Sequence, residues 1–207
     1  MTRENVQKRR SGAERYPDTW RQDLFAELKL LSRVLVVVIL VFQFAAQLIV
    51  VVGSSMVPTL HNGDLLVALR IHSAYRTGDV VIVHKETAVI QETVVKRVIA
   101  TGGQSVEIDY DANAVYVDGV KLNEPYINTT ELTEDDGGDP MLPRGDLEYF
   151  TVPQGCVFVM GDNRNHSTDS RFTYELGFIN EGYITGKAVA CFFPFSHKKL
   201  LRFVQGA

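Results

Sequence analysis

The sequence predicts a mainly β domain that follows one apolar N-terminal helix, and three observations support this fold class. Residues 34–52 carry no charged side chain at all. After Gly53, short runs rich in β-branched residues alternate with Gly, Asp and Asn. No long helical period competes with these runs. The 207 residues are therefore enough for one anchoring helix and one β-rich domain.

The uncharged run VLVVVILVFQFAAQLIVVV has the length of a transmembrane helix. At about 1.5 Å per residue it would span roughly 28 Å, close to the roughly 30 Å thickness of the hydrocarbon layer. Residues 1–33 hold eight Lys or Arg and five Asp or Glu, a balance of +3, whereas residues 53–207 hold thirteen and twenty, a balance of −7. This asymmetry predicts a single-pass plasma-membrane protein with a cytoplasmic N-terminus and an extracytoplasmic domain.

The predicted organisation has three parts. Residues 1–33 form a basic cytoplasmic segment, in which an apolar stripe beginning at Trp20 predicts an amphipathic helix. Residues 34–52 form the transmembrane helix, and residues 53–207 form the β-rich domain. The acidic balance of that domain argues against nucleic acid as a partner, because it would repel phosphates.

Eight strands are predicted in the domain, each as a short apolar run bounded by turn residues. They cover residues 65–71, 80–84, 94–100, 105–108, 114–117, 149–152, 157–160 and 188–193. Residues 109–113 and the pair Asp118-Gly119 are predicted as tight turns between strands.

Two features of the domain leave alternatives open. Cys156 and Cys191 lie beside strand-like runs in a compartment where disulfides form, so a disulfide and two buried thiols are both compatible with the sequence. The acidic stretch 131–140 (ELTEDDGGDP) is interpreted as a solvated loop, with calcium binding as the weaker alternative.

Three segments carry candidate chemistry. The first is GSSMVPTL, residues 53–60, directly after the apolar run; a serine hydroxyl there needs a base before it can act as a nucleophile. None of the five histidines has a clear orienting acid at a familiar spacing.

The second segment is VVKRVIA, in which strand alternation sends Lys96 and Arg97 to opposite faces. Burial lowers a lysine pKa from about 10.4, which would make a neutral amine available as a base. By spacing alone, a surface lysine is the stronger interpretation, since most lysines on strands lie at the surface. The third segment is the polar run GDNRNHSTDSR, residues 161–171.

In this order, behind an apolar span, the three segments resemble those of the bacterial type I signal peptidases. These are membrane-anchored Ser/Lys endopeptidases that remove leader peptides from exported proteins. The resemblance implies a catalytic domain of signal-peptidase type, with Ser55 as nucleophile and Lys96 as general base. It implies no metal and no organic cofactor. The implied partners are the signal peptides of exported preproteins, the lipid bilayer and the protein export machinery.

The resemblance also assigns supporting residues by position. Ser167 matches the hydroxyl that holds the lysine amine. Four further residues match those that brace the site through ion pairs: Asp162, Asp169, Arg171 and Arg97. Arg97 is the implied partner of Asp162. Gly53 stands where some relatives have a serine that donates to the oxyanion, so a second donor would come from elsewhere, such as the backbone. The positions that line the pockets for small substrate side chains are matched here by Val51, Val52, Met56, Leu60, Val94 and Val95.

Two departures from the family pattern concern loops. Residues 101–104 replace the turn that many relatives have after the lysine segment, and residues 172–176 form a segment longer than usual. Two other functions remain as alternatives: a specialised Ser/Lys peptidase that processes pilins or conjugation factors or cleaves itself, and a non-enzymatic, membrane-tethered β binding module.

Overall fold

The computed structural model describes residues 19–70, 74–85, 93–127, 141, 145, 147–194 and 199–200, and the chain divides into two compact units, Met1–Phe42 and Gln43–Ala207. Most of the first unit's described part belongs to one helix, α1 (Thr19–Phe44), which joins the amphipathic segment and most of the apolar run. Long straight-chain residues in its first half and the absence of Gly and Pro favour a continuous helix. Within the described ranges, no helix has both the length and the apolar character needed to cross a membrane.

The predicted helical boundary at residue 52 is wrong, because the helix ends at Phe44 and a strand follows. Strand β1 (Ala46–Val50) pairs antiparallel with β2 (Leu65–Leu69), from Ala46 opposite Leu69 to Val50 opposite Leu65. The helical and extended forms of such an apolar, partly β-branched run look alike in sequence, and the pairing with β2 decides between them. The β domain therefore begins some seven residues earlier than the sequence predicted.

The larger of two sheets has eight strands. Besides β1 and β2, its strands are β3 (Val80–His84), β4 (Thr93–Thr101), β9 (Cys156–Met160), β10 (Ile179–Asn180), β11 (Ile184–Phe193) and β12 (Lys199–Leu200). Their order is β1-β2-β11-β3-β4-β9-β10, with β12 paired to β11, and every pair is antiparallel.

The smaller sheet has four strands in the order β7-β6-β5-β8. These are β5 (Ser105–Asp109), β6 (Ala114–Val117), β7 (Val120–Lys121) and β8 (Tyr149–Thr151). The turn between β6 and β7 uses Asp118 and Gly119, both with positive φ, as the sequence predicted. All eight predicted strands are present, with ends that differ by a few residues.

Three clusters of buried side chains form the core. The first packs the residues after β1 against β2 and β3, the second lies on the opposite face of β3 and β4, and the third joins the smaller sheet to β9. Cys191 belongs to the first cluster and Cys156 packs against the third, and no disulfide joins the two. The acidic stretch 131–140 lies outside the described residues.

Candidate active site

Ser55 lies in the loop that connects β1 to β2. Backbone hydrogen bonds close the base of this loop, from Val51 N–H to Asp64 O (2.8 Å) and from Gly63 N–H to Val51 O (2.9 Å). Within it, a turn forms as Leu60 N–H donates to Met56 O (2.8 Å). Met56 and Leu60 are buried in the first core cluster, while Ser55 itself is half-buried. The core contacts thus fix the loop and leave the serine at the surface of a packed region.

Lys96 lies in the middle of β4 and is 3% exposed, although it is a charged residue on a strand. Its cross-strand partner is Val81, and Val94 and Val98 are two residues away on the same face. All three valines belong to or pack against the second core cluster. Burial lowers the pKa of Lys96 to about 8, with Arg171 lowering it further and the carboxylates of Asp169 and Asp162 opposing the shift.

The polar run 161–171 leaves the end of β9 and folds against the serine loop. Asn163 makes the connection, because its backbone N–H donates to Ser55 O (3.0 Å) and its side-chain amide donates to Ser54 O (3.3 Å). Gly161 lies between the two segments so tightly that a Cβ there would collide with Ser55 O and with the Ser167 hydroxyl. Only glycine therefore permits this approach.

The strand register brings the lysine to the same place. Arg97 pairs with Met160, the last residue of β9, in the antiparallel ladder between β4 and β9, and continuing this register would place Lys96 opposite Gly161. Gly161 also lies against Ser55 O and Ser167, so this glycine connects the serine loop to the polar run beside β4. The Ser167 hydroxyl is buried and has no hydrogen-bond partner in the described part of the chain.

Arg97 points to the face of β4 opposite Lys96 and forms the predicted ion pair with Asp162. Its Nε and Nη2 donate to the two carboxylate oxygens of Asp162 at 2.8 and 2.6 Å. Its Nη1 also donates to Gly78 O (2.8 Å), and Nη2 reaches the hydroxyl of Thr59 in the serine loop at 3.5 Å. Burial would lower the pKa of Arg97, but the hydrogen bonds and charge of Asp162 outweigh it and raise the pKa.

Asp169 and Arg171 form a second buried pair within the polar run. Arg171 Nε donates to Asp169 Oδ1 at 2.8 Å, and Nη2 donates to Oδ2 at 3.0 Å. Gly161 N–H also donates to Asp169, at 3.1 Å. Burial would raise the pKa of Asp169, but Arg171, Gly161 N–H and Lys96 lower it overall. This carboxylate is therefore charged and anchors the glycine that lies between the serine and the lysine.

The six predicted pocket residues do not lie together. Four of them share the first core cluster: Val51, Met56, Leu60 and Val95. Val94 packs against the second cluster on the opposite face of the sheet, beside Lys96, and Val52 is 79% exposed. Strand alternation explains the separation of Val94 from Val95, since adjacent residues on β4 face opposite sides.

Three residues at the site were not singled out from the sequence. Asn163 lies inside the polar run, but nothing in its spacing indicates that it holds the serine loop. Glu124 and Tyr126 follow the smaller sheet, and their contacts with Arg164 and Arg97 depend on long-range packing that no local pattern encodes. The sequence signal that could have raised suspicion is Arg164, which is a second arginine beside Arg171 in the polar run.

Comparison with known proteins identifies the class to which this fold and site belong. The family model described as "Signal peptidase, peptidase S26" matches residues 25–193. The chain is 37% identical over 164 residues to signal peptidase I T of Bacillus subtilis (strain 168), which covers 78% of this chain and 81% of that protein. It is 36% identical over 189 residues to the probable signal peptidase I-1 of a Synechocystis strain, covering 87% of each.

A crystal structure of a signal peptidase I from Enterococcus faecalis V583 matches 56% of this chain and 97% of that chain, with 25% identity and a TM-score of 0.42. The family of this chain follows from the family model and from the relatives that it matches over most of their length. The chain belongs to the signal peptidase family, peptidase S26. The prediction of a type I signal peptidase, a serine endopeptidase with a β-rich domain behind an N-terminal helix, is confirmed.

Proposed function

We propose that Ser55 and Lys96 are the catalytic pair with which this signal peptidase removes N-terminal signal peptides from exported preproteins. One observation carries the proposal. A lysine with a pKa near 8 is buried on the strand next to Gly161, and Gly161 contacts the backbone of Ser55. Close to neutral pH a useful fraction of such an amine is uncharged, so it can accept a proton from a hydroxyl.

The reaction begins when the Lys96 amine takes the hydroxyl proton of Ser55. The Ser55 oxygen attacks the scissile carbonyl, and the backbone N–H of Ser55 donates to the oxyanion that forms. The tetrahedral species collapses to an acyl-enzyme as the C–N bond breaks, and the Lys96 ammonium gives its proton to the departing amine, which is the new N-terminus of the mature protein. The Lys96 amine then takes a proton from water, and the water oxygen attacks the acyl carbonyl. The ester bond to Ser55 breaks, the Lys96 ammonium returns the proton to the Ser55 oxygen, and the signal peptide leaves with a free carboxylate.

The polar run supports this chemistry by holding the amine. The buried hydroxyl of Ser167 is next to Gly161 and can accept a hydrogen bond from the lysine or donate one to it. Asp169 is paired with Arg171, so its charge stabilises the ammonium without taking the proton. These contacts orient the Lys96 amine for transfer in both directions.

The substrate is expected to bind with small side chains facing the apolar residues beside the serine. Val51, Met56, Leu60 and Val95 are buried together in the first core cluster, so a large substrate side chain could enter there only by displacing core residues. Gly53 has no hydroxyl to offer the oxyanion, and its N–H donates to the Asn62 side chain at 3.0 Å. A second donor to the oxyanion would therefore have to come from a residue other than Gly53, such as a backbone N–H.

Membrane attachment is a further part of the proposal. The N-terminal helix α1 is proposed to attach the chain to the plasma membrane, with the basic N-terminal segment in the cytoplasm. The catalytic domain would then act at the extracytoplasmic lipid surface, where the export machinery delivers preproteins. Protease protection of N- and C-terminal tags in sealed vesicles tests this orientation, because only one of the two tags should be digested from outside.

Cleavage of a purified precursor by the full-length chain in detergent tests the catalytic pair. Ser55→Ala and Lys96→Ala should each abolish cleavage while retaining the far-ultraviolet circular dichroism of the β domain. Ser54→Ala provides the matched control for the serine, and Lys121→Ala, an exposed strand lysine, provides it for the base. Both controls should cleave at the wild-type rate. Activity that survives in Lys96→Ala, or is lost in Ser54→Ala but not in Ser55→Ala, would refute the assignment.

A panel of unrelated precursors separates the general function from the specialised one. A general signal peptidase should cleave most of them, at bonds preceded by small residues. Cleavage of a single pilin-like precursor would instead favour the specialised enzyme, and failure of a serine-reactive probe to acylate Ser55 would favour a binding module.

A further inference from the structure

A buried network of charges joins the smaller sheet to the polar run beside the proposed catalytic pair. Its first member is Arg164, whose side chain is completely buried. Both terminal nitrogens of Arg164 donate to the carboxylate of Glu124, which is only 6% exposed. Arg164 Nε donates to Gly161 O (3.1 Å), the glycine that separates Ser55 from Ser167. A guanidinium in this position needs the carboxylate, because an unpaired buried charge is costly.

The second member is Tyr126, two residues beyond Glu124. Its hydroxyl donates to Glu124 Oε1 at 2.9 Å, and its ring covers the guanidinium of Arg97 at 3.9 Å from the ring centroid. Arg97 is the neighbour of Lys96 on β4 and holds Asp162, the residue after Gly161. The face of an aromatic ring attracts a cation, most strongly where water is excluded.

Glu124 and Tyr126 are therefore placed to act on both segments that carry the catalytic pair. The segment that holds them continues from β7, and Leu122 N–H ties its start to Val115 O in the smaller sheet at 2.8 Å. Through Arg164 it contacts the polar run at Gly161, and through Arg97 it contacts β4 beside Lys96. None of the catalytic chemistry uses these two side chains directly.

We propose that Glu124 and Tyr126 are positioning residues of the peptidase reaction. By holding Arg164 and Arg97, they fix the polar run against β4 and keep the Lys96 amine at the correct distance from the Ser55 hydroxyl. The proposal rests on the Ser55–Lys96 function described above. It predicts that their loss slows the chemical step and leaves precursor binding largely unchanged, because Val51, Met56, Leu60 and Val95 lie in the first core cluster, to which neither Glu124 nor Tyr126 belongs.

The test measures kcat and KM for a purified precursor with the full-length chain in detergent. Glu124→Gln keeps the shape of the side chain but leaves Arg164 without a counter-charge. We expect kcat to fall by about tenfold to a hundredfold with KM within about threefold, since a misplacement of about 1 Å can cost a hundredfold in rate. Tyr126→Leu, which removes the ring over Arg97, should lower kcat more than Tyr126→Phe, which keeps it.

Exposed residues of the smaller sheet provide matched controls for Glu124 and Tyr126. Glu107→Gln on β5 and Tyr149→Leu on β8 change the same residue types at exposed positions, and both should leave kcat and KM at their wild-type values. A kcat for Glu124→Gln that equals that of Glu107→Gln would overturn the proposal.

A double variant separates positioning from simple folding stability. Glu124→Leu combined with Arg164→Met replaces the buried ion pair by apolar side chains, a change that often preserves or raises stability. If the charged pair positions the catalytic residues, this variant should unfold at or above the wild-type temperature and still show the reduced kcat. Recovery of both the melting temperature and kcat would show that the pair only fills space, and the proposal would fall. Activity retained in Ser55→Ala would refute the catalytic assignment itself, whatever the Glu124 variants do.

Discussion

Replacing Lys96 with methionine tests the buried amine through the free energy of unfolding and not through catalysis. The pKa of Lys96 is about 8 in the folded chain, compared with 10.5 for an ordinary lysine. At 1.36 kcal/mol per pH unit, this difference means that a protonated Lys96 lowers the free energy of unfolding by about 3 kcal/mol. Methionine has nearly the same length and no charge, so the variant does not have this cost.

The sign of the effect follows from proton binding. Between pH values of about 8 and 10.5 the unfolded chain holds a proton at this lysine that the folded chain has released. Wild-type stability therefore rises with pH across this interval. The penalty is complete below the folded-state pKa and is gone above the unfolded-state pKa. The stability advantage of Lys96→Met over the wild type should therefore shrink by about 3 kcal/mol between about pH 7 and pH 11.

Urea unfolding of the full-length chain, followed by far-ultraviolet circular dichroism at several pH values, measures this change. Packing differences between lysine and methionine add a constant that does not vary with pH, so the slope isolates the ionisation. Lys121→Met, on an exposed strand position, should give a difference that stays flat with pH. A flat difference for Lys96→Met as well would mean that the Lys96 amine is hydrated, and the reasoning that makes it a base would fail.

Four further expectations concern the same site. The kcat/KM for precursor cleavage should rise about tenfold per pH unit up to a pH of about 8 and then level off, because only the neutral Lys96 amine accepts the serine proton; a profile without this rise would contradict the assigned base. Gly161→Ala should lose activity and about 1–3 kcal/mol of stability by urea unfolding, since its Cβ collides with two neighbours; wild-type cleavage would contradict the tight approach. Asn163→Ala should lower kcat roughly fivefold, the equivalent of about 1 kcal/mol, because it loses one of two hydrogen bonds to the serine loop; an unchanged kcat would remove it from the site. Arg97→Gln should cost about 3–5 kcal/mol by urea unfolding, and adding Asp162→Asn should cost less than the sum of the two single variants; strict additivity would argue against the pair.

Local patterns were sufficient for most of the β domain and for the segments that form the site. Runs of β-branched residues bounded by Gly, Asp and Asn predicted all eight strands, because strand propensity and turn chemistry act over a few residues. The segments around Ser55, Lys96 and Asp162 were found as motifs, and the pairing of Arg97 with Asp162 agrees with the one implied by the family resemblance. The partner of Arg171, Asp169, came only from the structure.

The end of the helix is where the sequence argument failed. An uncharged apolar run can form a buried helix or a strand, and the run from 34 to 52 forms one in its first part and the other in its last part. What makes Ala46–Val50 a strand is the partner strand β2, which begins fifteen residues after β1 ends. Hydropathy alone does not contain that partner.

The amino-acid sequence by itself determined the family, the order of the elements and the residue types that carry the chemistry, because each is encoded within short segments. The tertiary structure decided which side chains meet. Val94 lies on the same face of β4 as Lys96, and Val95 lies on the opposite face. The side chain of Asn163 holds the serine loop. Glu124 contacts Arg164, and Tyr126 contacts Arg97. These contacts depend on strand register and on packing between segments far apart in the chain, and such long-range pairing is fixed only when the whole domain folds.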